Sequence, residues 1–225
     1  MRLKDFGLPT PEIVNPGVDP YSFAPSETPF SDPPVLLTVS RLVPRKGHRV
    51  VMAALPTLLK TFPNLQYWIA GAGPELGGLA RLARSLEVAH AVRFLGDVSH
   101  DESSKGIPNL PELYRRASIF VMPAQVDLES RQGEGFPLVY LEASASGLPV
   151  VAARSGGAAE AVLENETGLL VPPDDPPALA EALLRLLNDA EMRQKMGRTG
   201  RRWVEREMNW DRVGRQFLSI IDRAL

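Results

Sequence analysis

The chain has 225 residues, of which 44% are hydrophobic and 23% charged, so it can bury a core in one large α/β domain or two small ones. A formal net charge of -2 gives no whole-chain attraction to polyanions, which leaves nucleic acid a poor default partner. The absence of cysteine excludes disulfides, thiolate nucleophiles and thiolate metal sites, three scattered histidines disfavour a metal cage, and a reducing, cytoplasmic setting fits.

Residues 1–34 carry eight of the 21 prolines and no sustained helical or strand period, so they read as a linker or extended lead-in. The opening "MRLKDFGLPT" lacks the apolar centre of a signal peptide, and no uninterrupted apolar run approaches the roughly 20 residues of a membrane helix. Peripheral membrane contact stays open. From Val35 the pattern changes to short apolar runs, each followed by a helical segment: "VLLTVS", "LQYWIAG", "AVRFLG", "SIFVMP", "LPVVAA" and "GLLVP". Runs without in/out alternation, separated by helices, predict a parallel sheet of about six strands covered on both faces, a doubly wound Rossmann-like α/β fold over 35–208. Pro56 is expected to kink or divide its helix. Pro137 suits a first helical turn, Gly147 a helix stop, and Asp174 or Asp175 an N-cap. Residues 209–225 predict a terminal amphipathic helix.

In an open parallel sheet, ligands sit beyond the C-terminal ends of the strands, so the loops there hold the candidate chemistry. After the first run, "RLVPRKGH" gathers Arg41, Arg45 and Lys46, cations suited to a diphosphate, although a solvated basic turn has the same composition. After the second, "AGAGPE" offers Gly71 and Gly73 for close backbone approach. The dinucleotide fingerprint needs a third glycine where Leu76 stands, which disfavours a nicotinamide site. After the third, the backbone of Gly96 and Val98 can border a flat base.

The loop and helix of "EGFPLVYLE" place Glu134 before the helix and Glu142 about one and a half turns inside it, leaning back toward the same end. Free amides around Leu138 and Val139 favour an anion there. Two carboxylates and a phosphate repel each other unless the acids accept hydrogen bonds from sugar or ribose hydroxyls while Arg41, Lys46 and the helix end hold the phosphates. A nucleotide diphosphate sugar satisfies both demands. The alternatives are an internal ion pair with arginine for Glu142 and a solvated loop charge for Glu134.

At these residues the chain resembles the retaining glycosyltransferases of family 4, which have the GT-B architecture of two Rossmann-like domains. "SRLVPRKG", "AGAGPE", "FLGDV", "GEGFPLVYLEASASGLPVVAARSGGAAEAV", "TGLLVP" and "NWDRV" occur in the family's order, from about Val14 to the C-terminus. The match covers only the donor-binding half of such an enzyme. It implies a hexosyltransferase in which Arg41 and Lys46 bind the diphosphate of a UDP- or GDP-hexose, Glu134, first of an E-x7-E pair, contacts the sugar, and Glu142 the ribose. The backbone of Gly135, Phe136, Leu138 and Val139 would line sugar and phosphates, with Gly73, Gly96 and Val98 also on the donor. Such enzymes keep anomeric configuration without a metal or other cofactor, and the chain has no Asp-x-Asp sequence.

Two departures stand out. "SHDESSKGIPNLPELYRR" is longer than the family's usual connection. The acceptor-binding first domain is missing, which implies a fragment or a subunit needing a partner, inactive or slow alone, whose terminal helix would normally cross to that domain. The rival readings are an epimerase or phosphorylase on the same architecture, a nucleotide-binding module without catalysis, and nucleic-acid binding through Arg198, Arg201, Arg202 and Arg206 around Trp203. Glu205 and Glu207 interrupt that last cluster and favour a solvated face packing Trp203 inward.

Overall fold

The computed structural model describes residues 12–26, 32–101, 106–126 and 134–224. The remainder of the predicted lead-in, residues 102–105 of the long connection, the stretch 127–133 before Glu134 and the last residue of the predicted terminal helix lie outside the described residues.

Each predicted apolar run contains a strand: Val35–Val39 (β1), Gln66–Ala70 (β2), Val92–Gly96 (β3), Ile119–Met122 (β4), Val150–Ala153 (β5) and Gly168–Val171 (β6). All neighbours pair in parallel, in the order β3-β2-β1-β4-β5-β6. The runs lack polar alternation because both faces are covered. Leu36, Ile119 and Val121 enter one core while Val35, Leu37, Phe120 and Met122 enter the other.

The described residues form seven α-helices: His48–Thr61 (α1), Leu76–Ser85 (α2), Leu110–Arg116 (α3), Leu138–Ala145 (α4), Pro176–Asn188 (α5), Ala190–Glu207 (α6) and Trp210–Ala224 (α7). Leu55 of α1, Leu79 of α2 and Leu183 of α5 fill the first core. Tyr114 of α3, Leu141 of α4 and Val204 of α6 fill the second. Pro56 does not divide α1, which runs unbroken across it. Leu55 and Leu58 beside it are fully buried, and their packing on the sheet outweighs one missing backbone bond. Of the two candidate caps before α5, Asp175 performs the role, its carboxylate accepting from the Ala178 amide at 2.9 Å. Gly147, at φ 75°, follows the last turn of α4.

The described lead-in is docked rather than free. The Val18 amide donates to the Met208 carbonyl at 2.9 Å, and Val18 and Phe23 are buried. Nη1 of Arg201 donates to the carbonyls of Pro20, Phe23 and Ala145 at 2.6, 2.7 and 2.9 Å. That arginine of the basic cluster thus points inward, and Trp203 is half-buried against the second core. Among the described residues no helix is long and apolar enough to cross a membrane.

A polar chain runs beneath the loop after β1. Thr38 Oγ1 lies 3.0 Å from the Tyr67 hydroxyl, which lies 3.3 Å from Nδ1 of His48, and Nε2 of His48 lies 3.1 Å from Ser40 Oγ. Burial of His48, which is only 2% exposed, lowers its pKa from 6.5 to about 4; the Arg41 carbonyl opposes the shift and positive Lys46 adds to it. The unfolded chain therefore binds a proton near pH 6.5 that the folded chain refuses until about pH 4. The stability contributed by neutral His48 is complete above the unfolded value and is lost as pH falls through this window. Between pH 7 and pH 5 the loss amounts to about 2 kcal/mol. Denaturant unfolding of the protein and of His48→Gln at both pH values checks this: the variant should lose about that much less on acidification, and equal losses would refute the assignment.

Candidate functional site at the switch point

In this strand order β1 and β4 are neighbours whose chains leave in opposite directions, opening a crevice beyond their C-terminal ends. The two loops there close on each other. After β1 the chain forms a tight turn over Pro44–Lys46 and reaches Gly47 at φ 76°. A Cβ at Gly47 would lie 2.2 Å from the Pro123 carbonyl oxygen, so only glycine permits the approach. The Gln125 amide then donates to the Arg45 carbonyl at 2.8 Å.

Across that seam Glu134 meets the basic turn. Lys46 Nζ lies 2.8 Å from Glu134 Oε1, and Nη1 of Arg45 donates to the same oxygen. The side chains of Arg45, Lys46 and Glu134 are 20%, 12% and 10% exposed, so this ion triad is largely withdrawn from water. The backbone behind Glu134 is held by the loop after β5. The Gly157 amide donates to the Glu134 carbonyl at 2.9 Å, and a Cβ at Gly157 would lie 1.3 Å from the Gly135 oxygen. The sequence suggests no role for Gly156 and Gly157, and it groups Arg45 with Arg41 and Lys46 as cations suited to a diphosphate, whereas the structure places Arg45 on Glu134. A glycine pair separated by two residues from an apolar strand is the available signal for the first.

The other candidates are placed as follows. Arg41 is exposed, and among the described residues its guanidinium meets no carboxylate at ion-pair distance. Gly73 makes its close approach to the loop after β1, where an added Cβ would lie 2.5 Å from the Leu42 oxygen. Gly96, at φ 70°, has open space on its Cβ side and accepts from the Gly71 amide at 2.6 Å. Val98 and Phe136 are half-buried against the second core. Gly135 is exposed with nothing within 4 Å of its Cβ position. Pro137 is the N-cap of α4 and makes no side-chain cap bond; Leu138 beyond it is 38% exposed, and Val139 is half-buried.

Glu142 is held by a different partner. Its Oε2 accepts from the Tyr114 hydroxyl at 2.7 Å. Burial raises the pKa of Glu142, while the Tyr114 hydroxyl and His100 pull it down. Among the described residues it forms no ion pair, so an internal arginine is not what retains it. Glu134 is thus gathered with Lys46 and Arg45, and Glu142 with Tyr114, on one short helix and the loop before it.

The model of the family "Glycosyl transferases group 1" matches residues 22–203. A GDP-mannose-dependent alpha-(1-6)-phosphatidylinositol monomannoside mannosyltransferase of Mycolicibacterium smegmatis is 38% identical over 221 residues, which are 93% of this chain and 56% of that protein. Among solved structures, sucrose-phosphate synthase from Thermosynechococcus elongatus superposes with a TM-score of 0.76 at 27% identity, covering 95% of this chain and 52% of that one. Anabaena HepE in complex with UDP superposes with a TM-score of 0.79 at 20% identity, covering 94% and 57%. The chain spans about half the length of the curated relatives it matches. It belongs to the glycosyl transferases group 1 family and has the fold of one Rossmann-like half of a GT-B glycosyltransferase.

Proposed function

We propose that the chain is the donor-binding half of a retaining hexosyltransferase, which moves a hexose from a nucleotide diphosphate sugar to an acceptor hydroxyl. The observation that carries this reading is the Glu134 carboxylate held by Lys46 and Arg45 across the switch point. An acid for sugar hydroxyls and cations for phosphates stand together there. A GDP-hexose is the favoured donor because the Mycolicibacterium relative is named as GDP-mannose-dependent. That HepE is described with UDP fits a base bordered by backbone at Gly96 and Val98, whose geometry many side chains can support.

In this mechanism Lys46, Arg41 and the amides of Leu138 and Val139 carry the charge that grows on the leaving diphosphate. Glu134 accepts from hydroxyls of the transferred sugar, and Glu142, oriented by Tyr114, accepts from the ribose. The acceptor oxygen attacks the anomeric carbon on the face from which the phosphate oxygen departs, through an oxocarbenium-like state, and its proton passes to that departing phosphate oxygen. The acceptor site and the opposite wall of the cleft belong to a second Rossmann-like half. The present chain alone binds donor and transfers slowly or not at all, because the reactants must share one closed cleft. The competing reading is a nucleotide-binding module without catalysis, and calorimetry separates the two. An affinity gain from GDP to GDP-mannose, or from UDP to UDP-glucose, supports the transferase reading; binding of the bare nucleotides with no gain supports the module.

Glu142→Ala should weaken nucleotide binding roughly tenfold to a hundredfold, the cost of a hydrogen bond to a charged group, without unfolding the protein. Because burial raises the pKa of Glu142, nucleotide affinity should fall on acidification at a higher pH than an ordinary glutamate would give. Tyr114→Phe removes a bond that lowers this pKa, so the midpoint should move further upward. A midpoint indifferent to Tyr114→Phe would detach Glu142 from the nucleotide. If side-chain cations and helix amides neutralise the diphosphate, donor affinity should stay within about twofold when EDTA replaces magnesium, since no metal charge is lost. A larger loss, restored by magnesium, would show that an ion shares the task.

A further inference from the structure

Both cations on Glu134 bind one oxygen. Lys46 and Arg45 meet Oε1, and among the described residues nothing occupies Oε2 as an acceptor. If the donor reading above holds, this arrangement must change when the diphosphate arrives. A phosphate group bearing more than one negative charge competes for the compact ammonium of Lys46, whose flexible stem lets it turn. Glu134, 10% exposed, would then be a nearly buried carboxylate deprived of one partner, a state tolerated only if another cation remains.

Arg45 is that cation. Its carbonyl accepts from the Gln125 amide at 2.8 Å, so its backbone is pinned to the loop after β4, on the side of the seam that carries Glu134. Its guanidinium suits a carboxylate in directed geometry. We propose that Arg45 is a positioning residue, which keeps Glu134 neutralised and its Oε2 presented to a hexose hydroxyl once Lys46 has moved to the diphosphate. The donor-free triad is a relay in which one cation is handed to the phosphates and the other stays. The phosphate share of donor affinity then depends on Lys46, and the sugar share depends on Arg45 acting through Glu134.

The test is isothermal calorimetry on the full chain with GDP and GDP-mannose, and in parallel with UDP and UDP-glucose. It reads the ratio of the bare-nucleotide Kd to the nucleotide-sugar Kd. Wild type should show a ratio well above one for one of the two pairs. Arg45→Met should cut that ratio at least fivefold, and Arg45→Lys should recover part of it. With Glu134→Gln already in place, adding Arg45→Met should produce no further fall. Equal weakening of bare nucleotide and nucleotide sugar by Arg45→Met would make Arg45 a phosphate ligand and overturn the proposal. So would an unchanged ratio or a further fall in the Glu134→Gln background. A wild-type ratio of one for both pairs, or failure of the wild-type chain to bind any of the four nucleotides, would instead remove the donor reading, and this inference with it. Thermal unfolding confirms that each variant is folded; should Arg45→Met not fold, Arg45→Lys against wild type carries the comparison, with an intermediate ratio expected and an unchanged one overturning the idea.

Discussion

A carboxylate shared between two cations joins the loops that follow β1 and β4, and the proposed chemistry of the site rests on it. Arg45 and Glu134 are 89 residues apart in sequence, and only the strand order brings their loops to one crevice. Gly47 and Gly157 let backbone come close enough on either side for the contact to be sheltered. Shelter raises the stakes in both directions. A carboxylate withdrawn from water needs its cations, and cations withdrawn from water need an anion, so neither can be removed without a replacement. In the proposed function an incoming diphosphate is such a replacement for Glu134 at Lys46, and that proposal asks for a ligand that is anionic and also carries hydroxyls.

Much of the fold was legible because a doubly covered parallel sheet leaves a strong mark on sequence. Six apolar runs without alternation, spaced by helical segments, leave little else to build, and each run contains its strand. Pro56 misled for a local reason: propensity penalises the missing amide, but Leu55 and Leu58 hold that stretch of helix on the sheet from either side. The site was legible by residue type and only partly by partner. Two acids at loop and helix and a basic turn could be read directly. That Arg45, rather than Arg41, would pair with Glu134 depends on the turn at Pro44–Lys46 and on which loops meet, and neither is written in local pattern. The role of Gly157 likewise exists only once the loop after β5 lies against Gly135.

The two glutamates of the E-x7-E pair occupy unlike electrostatic settings. Glu134 is surrounded by cations, while Glu142 rests on a neutral hydroxyl in a setting where burial opposes its charge. The difference follows from position. Glu134 overhangs the basic turn of the loop after β1, whereas Glu142, inside α4, faces α3 and its Tyr114.

The support of Glu142 extends beyond the Rossmann core. Tyr114 is stacked on Phe120 of β4 at 5.7 Å, Phe120 meets the edge of Tyr140 at 5.8 Å, and the Tyr140 hydroxyl donates to the Met122 carbonyl. On its other side Tyr114 receives the ring of Phe23 at 5.4 Å in an edge contact, and Phe23 also meets His100 at the same distance. One aromatic row therefore passes from the docked lead-in, under α4, to the strand end beside the crevice. Rings packed in this way have few alternative arrangements, so a shift of any one is felt by its neighbours. Arg201 fixes the lead-in carbonyls of Pro20 and Phe23 to the end of α4 at Ala145, closing the circuit on the same helix that presents Glu142. A proline-rich stretch that reads as mere connection is thereby part of the scaffold that aims a carboxylate.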